Sequence, residues 1–535
     1  MEFNHLYNPY KTSTAMSYGK NGMVATSQNF AAEAGFEILK NGGNAVDAAV
    51  ATAAASTVCE PTSNGIGGDA FAIVCYRGKL YGLNSSGPSP RNISIDILRK
   101  KGYKQMPRFG WETVNVPGIP AAWSALWKRF GKLSFKNLLT PAIEYSEKGY
   151  PVTPTVGRLW EKSYREFKHY LKEDKFKYWF ETFAPEGRAP RIGEIVTLKD
   201  HGKTLKIIAE TLGEDFYRGE LAEKIDEFSK NTGGYIRKED LEKFHPEWVE
   251  PISTDYRGYD VYEMPPNAQG ITVLMVLNIL KGFKFEGKDS ADTCHKQIEA
   301  VKLSFEDSLK YITDAKKMKN NIEDLLSESY AEERRKQIGK TAFMPKIYKN
   351  MDGGTVYIAT ADGEGNMVSY IQSNYMGFGS GLVVPGTGIA LHNRGNSFSL
   401  DHNHINSLEP GKKPYHTIIP GFLMKDNKPV GPFGVMGAFM QPQGHIQVLM
   451  DIIDFGLNLQ AALDSPRWFW TSGKNVKLEK QFQPYLAESL YEKGHYVNYE
   501  INTDVFGRGQ IIFRNEAGVL FGGTDWRGDG VIYSW

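Results

Sequence analysis

A change of residue pattern at position 355 constrains the fold of this chain more than any other feature of its sequence. Residues 155–345 have mostly helical character and are rich in Lys and Glu. From 355 onward, TVYIATA and NMVSYIQS alternate on either side of the turn ADGEG, which predicts a β-hairpin over 355–373. HIQVLMDIIDFG (445–456) then returns to helical spacing. Helices, strands and helices in this order predict an α+β fold with sheets between helical layers.

Two helices and a second hairpin are predicted nearer the N-terminus. NFAAEAGFEILKNGG (29–43) has apolar residues at helical spacing and ends in glycines that suit a C-cap. NAVDAAVATAAASTVCE (44–60) is rich in alanine, so it favours a helix that packs closely on its neighbours. AFAIVCY and LYGLNSS flank RGK (77–79), which predicts a hairpin.

Composition excludes several classes of function. The chain has 535 residues with 63 basic and 62 acidic side chains, so its formal charge of +1 does not favour a nucleic-acid partner. We find no linker or repeat, and one continuous unit is therefore expected. The longest apolar stretches, such as GITVLMVLNIL (270–280), are too short to cross a bilayer, and no leader pattern is present. These features predict no membrane partner and a cytoplasmic location.

The cysteines and one histidine-containing loop are interpreted as structural. Cys59, Cys75 and Cys294 are far apart and form no CxxC pattern, so we interpret them as packing residues. Asp401, His402 and His404 share a polar loop without a further ligand at zinc spacing, which favours a solvated loop over a metal site.

The stretch GGTVYIAT (353–360) carries the main chemical hypothesis. A threonine hydroxyl is a poor nucleophile unless a base removes its proton, and its own α-amine can do so once the residue is a chain terminus. Thr355 becomes such a terminus if its hydroxyl attacks the carbonyl of Gly354 and the peptide bond between them breaks. Gly353 and Gly354 would assist, because residues without a Cβ adopt strained backbone conformations at low steric cost. The alternative for these eight residues alone is a Gly-Gly turn that leads into an ordinary strand.

Several separated motifs carry a resemblance that covers nearly the whole chain in order. They are GMVATSQNFAAEAGFEILKNGGNAVDAAVA (22–51), EPTSNGIGGDAFAIV (60–74), VPGIPAAW (116–123), FGKLSFKNLLTPAIEYSEKGYPV (130–152), FYRGELAEKI (216–225), MPPNAQG (264–270), TVYIATADGEGNMVSYIQS, GFGSG, GTGI, KKPYHTIIPGF, PQGHIQVLMDIIDFG and GGTDWRGDG. Together they resemble the γ-glutamyltransferase family of N-terminal-nucleophile hydrolases.

The resemblance implies a four-layer αββα sandwich that is made as a precursor and cleaves itself between Gly354 and Thr355. The large subunit would be residues 1–354 and the small subunit residues 355–535. Thr355 matches the family's nucleophile, and Ser373 matches the hydroxyl residue that bonds to it. The paired glycines of the oxyanion hole fall on Gly437 and Ala438, where alanine still offers a backbone N–H. No metal or organic cofactor is implied.

The substrate pocket departs from the pattern of true γ-glutamyl enzymes. Ser86 stands where those enzymes have the arginine that holds the substrate's α-carboxylate, and serine cannot replace a bidentate charged contact. The other pocket positions fall on, or near, Asn374, Tyr375, Arg394, Ser397, His416 and Thr417. An arginine near the position that normally holds an ammonium group suggests an anionic acyl group without an α-amine. We expect Arg394, with His392 or His416, to bind it, as in the oxamate-amidohydrolase-like branch that the sequence also resembles.

Several alternatives stay open at this point. Arg394 can instead pair with a buried acid such as Asp401. The chain can be a true γ-glutamyltransferase or glutathione hydrolase with a relocated carboxylate clamp, or an uncleaved, non-catalytic binding protein. The stretch 397–416 is shorter than the lid-bearing segment of some relatives, so an open cleft that favours water as acyl acceptor is expected. A homo-oligomer is possible.

Overall fold

The computed structural model describes residues 14–345 and 353–535. The strands of this part of the chain are β1 (Ser17–Gly19), β2 (Gly22–Thr26), β3 (Asp69–Tyr76), β4 (Lys79–Ser85), β5 (Tyr150–Pro151), β6 (Ile195–Val196), β7 (Glu247–Val249), β8 (Ile252–Tyr256), β9 (Tyr259–Glu263), β10 (Gly354–Asp362), β11 (Met367–Tyr375), β12 (Gly421–Lys425), β13 (Lys428–Met436), β14 (Trp468–Ser472), β15 (Asn475–Glu479), β16 (Tyr496–Glu500), β17 (Arg508–Arg514), β18 (Leu520–Thr524) and β19 (Val531–Ser534).

The helices are α1 (Asn29–Lys40), α2 (Ala45–Cys59), α3 (Ile95–Lys100), α4 (Ile119–Phe130), α5 (Phe135–Lys148), α6 (Pro154–Tyr170), α7 (Lys177–Phe183), α8 (Lys199–Thr211), α9 (Glu214–Arg218), α10 (Glu220–Asn231), α11 (Lys238–Glu242), α12 (Gly270–Leu280), α13 (Ala291–Tyr311), α14 (Ile322–Leu325), α15 (Glu328–Arg335), α16 (Met440–Ile453), α17 (Leu459–Asp464) and α18 (Pro484–Glu492). No helix in the described residues is both long enough and apolar enough to cross a membrane.

Two seven-stranded sheets form the centre of the structure. One has the strand order β1-β18-β17-β13-β12-β9-β8, and the other has the order β19-β2-β10-β11-β3-β4-β7. Every named strand pair within these two sheets is antiparallel. β10 lies inside its sheet, hydrogen-bonded to β2 on one side and to β11 on the other. Both sheets therefore combine strands from before and after residue 355.

Alternation along β10 explains the layers. Val356 and Ile358 point to a core shared with α2, α4 and α5, whereas Tyr357 and Ala359 point to a core shared with the other sheet. That second core continues through β12, β13 and β17 to α12, α13 and α16 on the far side. Two sheets with helices on both outer faces make four layers, and the predicted α+β, αββα architecture is confirmed.

The local predictions near the N-terminus and around residue 355 are also confirmed. α1 and α2 occupy the two predicted helices, β3 and β4 form the first hairpin, β10 and β11 form the second, and α16 covers most of 445–456. The structure differs in the middle region, where residues 247–263 form three strands rather than helix. These strands are short, and their partly exposed faces do not stand out within a region rich in charge. The three cysteines are buried thiols, as predicted.

Candidate active site

Thr355 lies at the start of β10, where the pairing with β11 is irregular. Gly354 pairs with Tyr375 and Val356 pairs with Gln372, so the register shifts between them. Two residues of β11, Ser373 and Asn374, therefore lie opposite the single residue Thr355, and the bulge is in β11. Bulges are common beside active sites, because they redirect a side chain. Thr355 is 2% exposed and Ser373 is fully buried, so both hydroxyl groups lie inside the protein.

The carbonyl of Gly354 is the meeting point of these two hydroxyl groups. Thr355 Oγ1 donates to it at 2.6 Å, and Ser373 Oγ donates to it at 2.7 Å. Thr355 Oγ1 also lies 3.3 Å from Ser373 Oγ, which in turn accepts a hydrogen bond from the Tyr375 backbone at 2.7 Å. The hydroxyl that would act as the nucleophile is therefore held against the carbonyl that it would attack.

The turn at Gly437 and Ala438 lies beside this peptide. It connects β13 to α16, and both residues have positive φ, 137° and 50°. A Cβ placed on Gly353 would lie 2.9 Å from that of Ala438. Within the described residues neither turn N–H donates a hydrogen bond, so both are available to a ligand. Backbone N–H groups in this arrangement can stabilise an oxyanion.

A cavity of about 620 Å³ opens next to Gly353 and Gly354. We call it the Gly354 cavity, and its lining includes Ser63, Gly353, Gly354, Gly437 and Arg508. This volume is within the range of small-molecule sites in proteins. The space beside the Gly354 carbonyl is thus large enough for a small amide substrate.

A buried charge cluster centred on Asp69 lies behind the two hydroxyl groups. Asp69 is opposite Ser373 in the β3–β11 pair. Its Oδ2 atom lies 2.9 Å from His416 Nε2, 3.2 Å from His392 Nδ1 and 3.5 Å from Arg394 Nε. All four side chains are fully buried. The cluster joins the strand that carries Asp69 to the segment that carries the predicted pocket residues.

The charges within this cluster compensate one another. Burial would raise the pKa of Asp69, but the nearby His392 and His416 side chains outweigh it and hold that pKa well below its usual range. Burial lowers the pKa of His416 to about 3, with a further contribution from the Arg394 charge. Burial also lowers the pKa of Arg394, although Asp69 acts in the opposite direction. An ionised carboxylate facing one guanidinium is therefore the favoured state.

Arg394 reaches two further groups. Its Nη1 donates to Thr417 Oγ1 at 2.8 Å, and its guanidinium lies 4.2 Å from the centroid of the Tyr375 ring. Its Nη2 has no hydrogen-bond acceptor among the described residues. Arg394 does face a buried acid, but that acid is Asp69. Asp401 is exposed, so the alternative that Arg394 pairs with Asp401 was wrong.

The other predicted pocket residues are also buried. The Asn374 amide lies against Gly65 and Gly68, where an added Cβ would come within 2.9 Å and 2.8 Å of its atoms, and neither amide atom has a partner in the described part of the chain. Ser86 donates to Asn84 at 2.7 Å and accepts from Asn267 at 3.2 Å. Ser86, at the position where true γ-glutamyl enzymes have an arginine, is therefore hydrogen-bonded to two neutral amide side chains.

Sequence reasoning missed two features of this site. The first is Asp69, which directly follows the glycine-rich NGIGG and begins β3. An acidic residue between a glycine-rich loop and a buried strand was the sequence signal that could have identified it. Glu60 is the second feature, a fully buried carboxyl that accepts from Ser27 at 2.7 Å and lies 3.5 Å from Arg508. Burial raises the pKa of Glu60, while the charge of Arg508 lowers it.

Among residues 14–345 and 353–535, one group of side chains could offer metal ligands, and it does not line the Gly354 cavity. Ligand atoms of His295, Glu299 and His495 lie within 4.8 Å of one another. The ammonium of Lys302 donates to Glu299 at 2.7 Å, so a fixed cation already neutralises this carboxylate. The arrangement is better described as a buried ion pair with two histidines than as a metal site. His402 of the predicted solvated loop faces Asp96 at 3.6 Å, on the surface.

Comparison with known proteins agrees with this geometry. The gamma-glutamyltranspeptidase family model matches residues 31–535. The chain is 37% identical over 525 residues to the glutathione hydrolase-like YwrD proenzyme of Bacillus subtilis, covering 96% of this chain and 98% of that protein. It is 31% identical over 523 residues to the oxamate amidohydrolase proenzyme of Klebsiella pneumoniae, covering 95% and 98%. The structure of a cephalosporin acylase from Bacillus halodurans superposes with a TM-score of 0.96 at 56% identity, covering 100% and 99%. This chain therefore belongs to the gamma-glutamyltranspeptidase family and is an amidohydrolase of the N-terminal-nucleophile type.

Proposed function

We propose that this enzyme cleaves its own chain between Gly354 and Thr355 and then hydrolyses an amide through an acyl-threonine ester. The observation that carries the proposal is the contact of Thr355 Oγ1 with the Gly354 carbonyl, 2.6 Å away and shared with Ser373. The word proenzyme in the names of the two curated relatives supports the cleavage step.

Self-cleavage begins with attack of Thr355 Oγ1 on the carbonyl carbon of Gly354. The C–N bond then breaks, and the Thr355 nitrogen takes up a proton, so an ester replaces the peptide bond. Water hydrolyses this ester, which leaves a carboxylate on Gly354 and a free amine and hydroxyl on Thr355. The Ser373 hydroxyl, 2.7 Å from the Gly354 oxygen, supports the charge that develops there.

Amide hydrolysis repeats this chemistry on a substrate. The new Thr355 amine takes the hydroxyl proton, since a terminal amine has a pKa near 8 and is partly neutral at neutral pH. Oγ1 attacks the substrate carbonyl, and the N–H groups of Gly437 and Ala438 bind the oxyanion. The protonated amine gives its proton to the leaving nitrogen, and water then releases the acyl group from the ester.

For the substrate, we propose an amide whose acyl group is anionic and lacks the α-amine of a γ-glutamyl group. Ser86 is bonded to Asn84 and Asn267, which supports a pocket without the α-carboxylate clamp. Two similar proteins have names that refer to an acylase and an amidohydrolase rather than to a γ-glutamyl group. The participation of Arg394, His392 and His416 in binding this acyl group stays a prediction, because Asp69 already faces all three.

A matched pair of anilides tests this substrate class. Glutaryl-4-nitroanilide and γ-glutamyl-4-nitroanilide differ only by the α-amino group, and release of nitroaniline measures turnover of both. We expect kcat/KM to be at least about tenfold higher for the glutaryl compound. The acids that line the Gly354 cavity, Glu166 and Asp504, are already paired with Arg108 and Arg158, so an ammonium group would find no unpaired carboxylate there. A preference for the γ-glutamyl compound would instead favour a γ-glutamyltransferase with a relocated clamp.

A second experiment distinguishes this enzyme from an uncleaved, non-catalytic binding protein. Intact mass spectrometry of the purified protein should show two fragments divided between Gly354 and Thr355. A protein that remains one chain and releases no nitroaniline from any acyl anilide would be a binding protein on this fold.

A further inference from the structure

A second cavity lies beside the Gly354 cavity. It has a volume of about 580 Å³, and we call it the Arg99 cavity. Arg108 and Met376 line both cavities, so these two side chains belong to a wall that the two spaces share. A substrate bound at Thr355 can therefore extend past this wall.

The rim of the Arg99 cavity carries two cations without acidic partners. Arg99 donates to the Leu400 carbonyl at 2.9 Å, but neither Arg99 nor Lys104 has a carboxylate within 4 Å among the described residues. Arg108, in the shared wall, is different because its guanidinium pairs with Glu166. Asp401 is the acid in the lining, and its carboxylate accepts the backbone N–H of Asn403 at 2.9 Å.

The inner part of the cavity is apolar. Leu309, Ile312, Phe398 and Tyr415 line it and are buried, together with two buried polar residues, Ser397 and Asn406. The Asn406 side chain donates to the Ser397 carbonyl at 2.8 Å and accepts from the Tyr415 backbone at 2.9 Å, so its polar atoms are already hydrogen-bonded. Cavities of this size that have a mostly apolar lining and a few charged groups are typical binding sites for small organic ligands. An apolar interior below two unpaired cations favours a ligand with a hydrocarbon body and a carboxylate end.

We propose that the Arg99 cavity binds a carboxylate carried by the amide substrate, through Arg99 and Lys104. This inference rests on the proposed function, since it places one end of the substrate of Thr355. It also moves the anion site away from Arg394, whose charge is enclosed and faces Asp69. The carboxylate belongs either to the acyl group or to the amine that leaves, and both would use the same two cations.

Three substrates separate these two sources. Glutaryl-4-nitroanilide has a carboxylate on the acyl group, and the pentanoyl amide of 5-amino-2-nitrobenzoate has one on the leaving group. Pentanoyl-4-nitroanilide has none and has the same acyl length. The mature enzyme is assayed with each compound as the unmodified protein, as the double variant Arg99→Gln/Lys104→Gln, and as Arg99→Lys, which keeps the charge.

Lys100→Gln is the matched control, because Lys100 is an exposed cation at the end of α3 and is not part of the cavity lining. We expect the double variant to raise KM at least about tenfold for one or both carboxylate compounds, with kcat little changed. KM for pentanoyl-4-nitroanilide should stay within about twofold, and Arg99→Lys should recover most of the binding. Added salt should raise KM for the carboxylate compounds, since exposed charges are screened.

The outcomes that overturn the inference are clear. They are an equal loss for all three compounds, no change for any of them, or the same loss in Lys100→Gln. If the unmodified enzyme cleaves none of the compounds, the proposed function has failed but the site can still be tested by calorimetry with glutarate. Binding of glutarate that weakens at least tenfold in the double variant supports the site, and absent or unchanged binding overturns it.

Discussion

The hydroxyl oxygens of Thr355 and Ser373 lie 3.3 Å apart, and both groups donate to the Gly354 carbonyl. One residue is placed to attack this carbonyl and the other to support its oxygen. Because Thr355 acts again on an external amide in the proposed mechanism, changes at Thr355 should affect self-cleavage and hydrolysis together.

Replacing Thr355 by alanine should leave the chain in one piece and remove amide hydrolysis, because no hydroxyl remains to attack Gly354. Thr355→Ser keeps a hydroxyl and should still cleave, measured by intact mass at intervals after purification. Thr360→Ala is the matched control, since Thr360 lies on the same strand and donates to Ala45 at 2.7 Å instead. Efficient cleavage of Thr355→Ala would contradict the mechanism.

Ser373→Ala should slow self-cleavage by about fivefold, because the Gly354 oxygen loses one of its two hydroxyl donors and a single hydrogen bond contributes about 1 kcal/mol. The rate is measured from the decay of the precursor on denaturing gels. Ser369→Ala serves as the control on the same strand, where the hydroxyl pairs with Tyr357 at 2.7 Å. Equal rates in both variants would remove Ser373 from the mechanism.

Ala438 can be tested by changing only its Cβ. Ala438→Gly keeps the N–H and suits the φ of 50°, so kcat should stay within about threefold of the original value. Ala438→Val places a branched side chain in an unfavourable conformation next to Gly353 and should move the turn. We expect kcat to fall by about 10²-fold, the typical cost of a lost oxyanion donor. A fully active valine variant would argue against this turn as the oxyanion hole.

Stability should decrease as the pH falls from about 6.5 toward 4. Burial lowers the pKa of His201 to about 4 and that of His445 to about 3, both from an ordinary value of 6.5. Below pH 6.5 these histidines gain protons in the unfolded chain before they do so in the folded protein. Each therefore favours unfolding by up to about 1.4 kcal/mol per pH unit in this window.

The measurement is the apparent melting temperature between pH 7.5 and pH 4.5. His201→Gln should show a smaller decrease than the original protein, since glutamine does not titrate and can still donate to Thr57, which lies 3.0 Å from the His201 ring. His402→Gln removes an exposed histidine and should leave the decrease unchanged. An identical decrease in all three proteins would show that His201 has no part in it.

The elements that are local in sequence could be predicted from sequence. The hairpin over 355–373 and α1 have a clear hydrophobic period, and α2 is indicated by its alanine content instead, because all of its residues are buried. The structure contains these elements and also α16. Short strands such as β8 and β9 were missed because each has only five residues, and four of these in β8 and two in β9 are at least partly exposed. Whether such a segment becomes a strand depends on the sheet that it joins more than on its own residue pattern.

The Asp69 cluster shows why the site was only partly predictable. Asp69 and His416 are separated by 347 residues, and no local pattern links them. The resemblance identified His392, Arg394 and His416 as pocket residues, but a family motif does not say which acid faces a new arginine. Asp401 lies close to Arg394 in sequence but is exposed, whereas the fold brings Asp69 to Arg394 from β3.

The sharing of both sheets by strands from either side of residue 355 has a consequence for handling the mature enzyme. If the backbone is cut between Gly354 and Thr355 as proposed, the pairing of β10 with β2 and of β18 with β1 should still join the two pieces. Each piece thus contributes strands to both sheets, and the hydrophobic core between the sheets contains side chains from both pieces. The two polypeptides should co-purify as an inseparable pair until denatured, and pieces produced separately should be insoluble unless they fold in each other's presence.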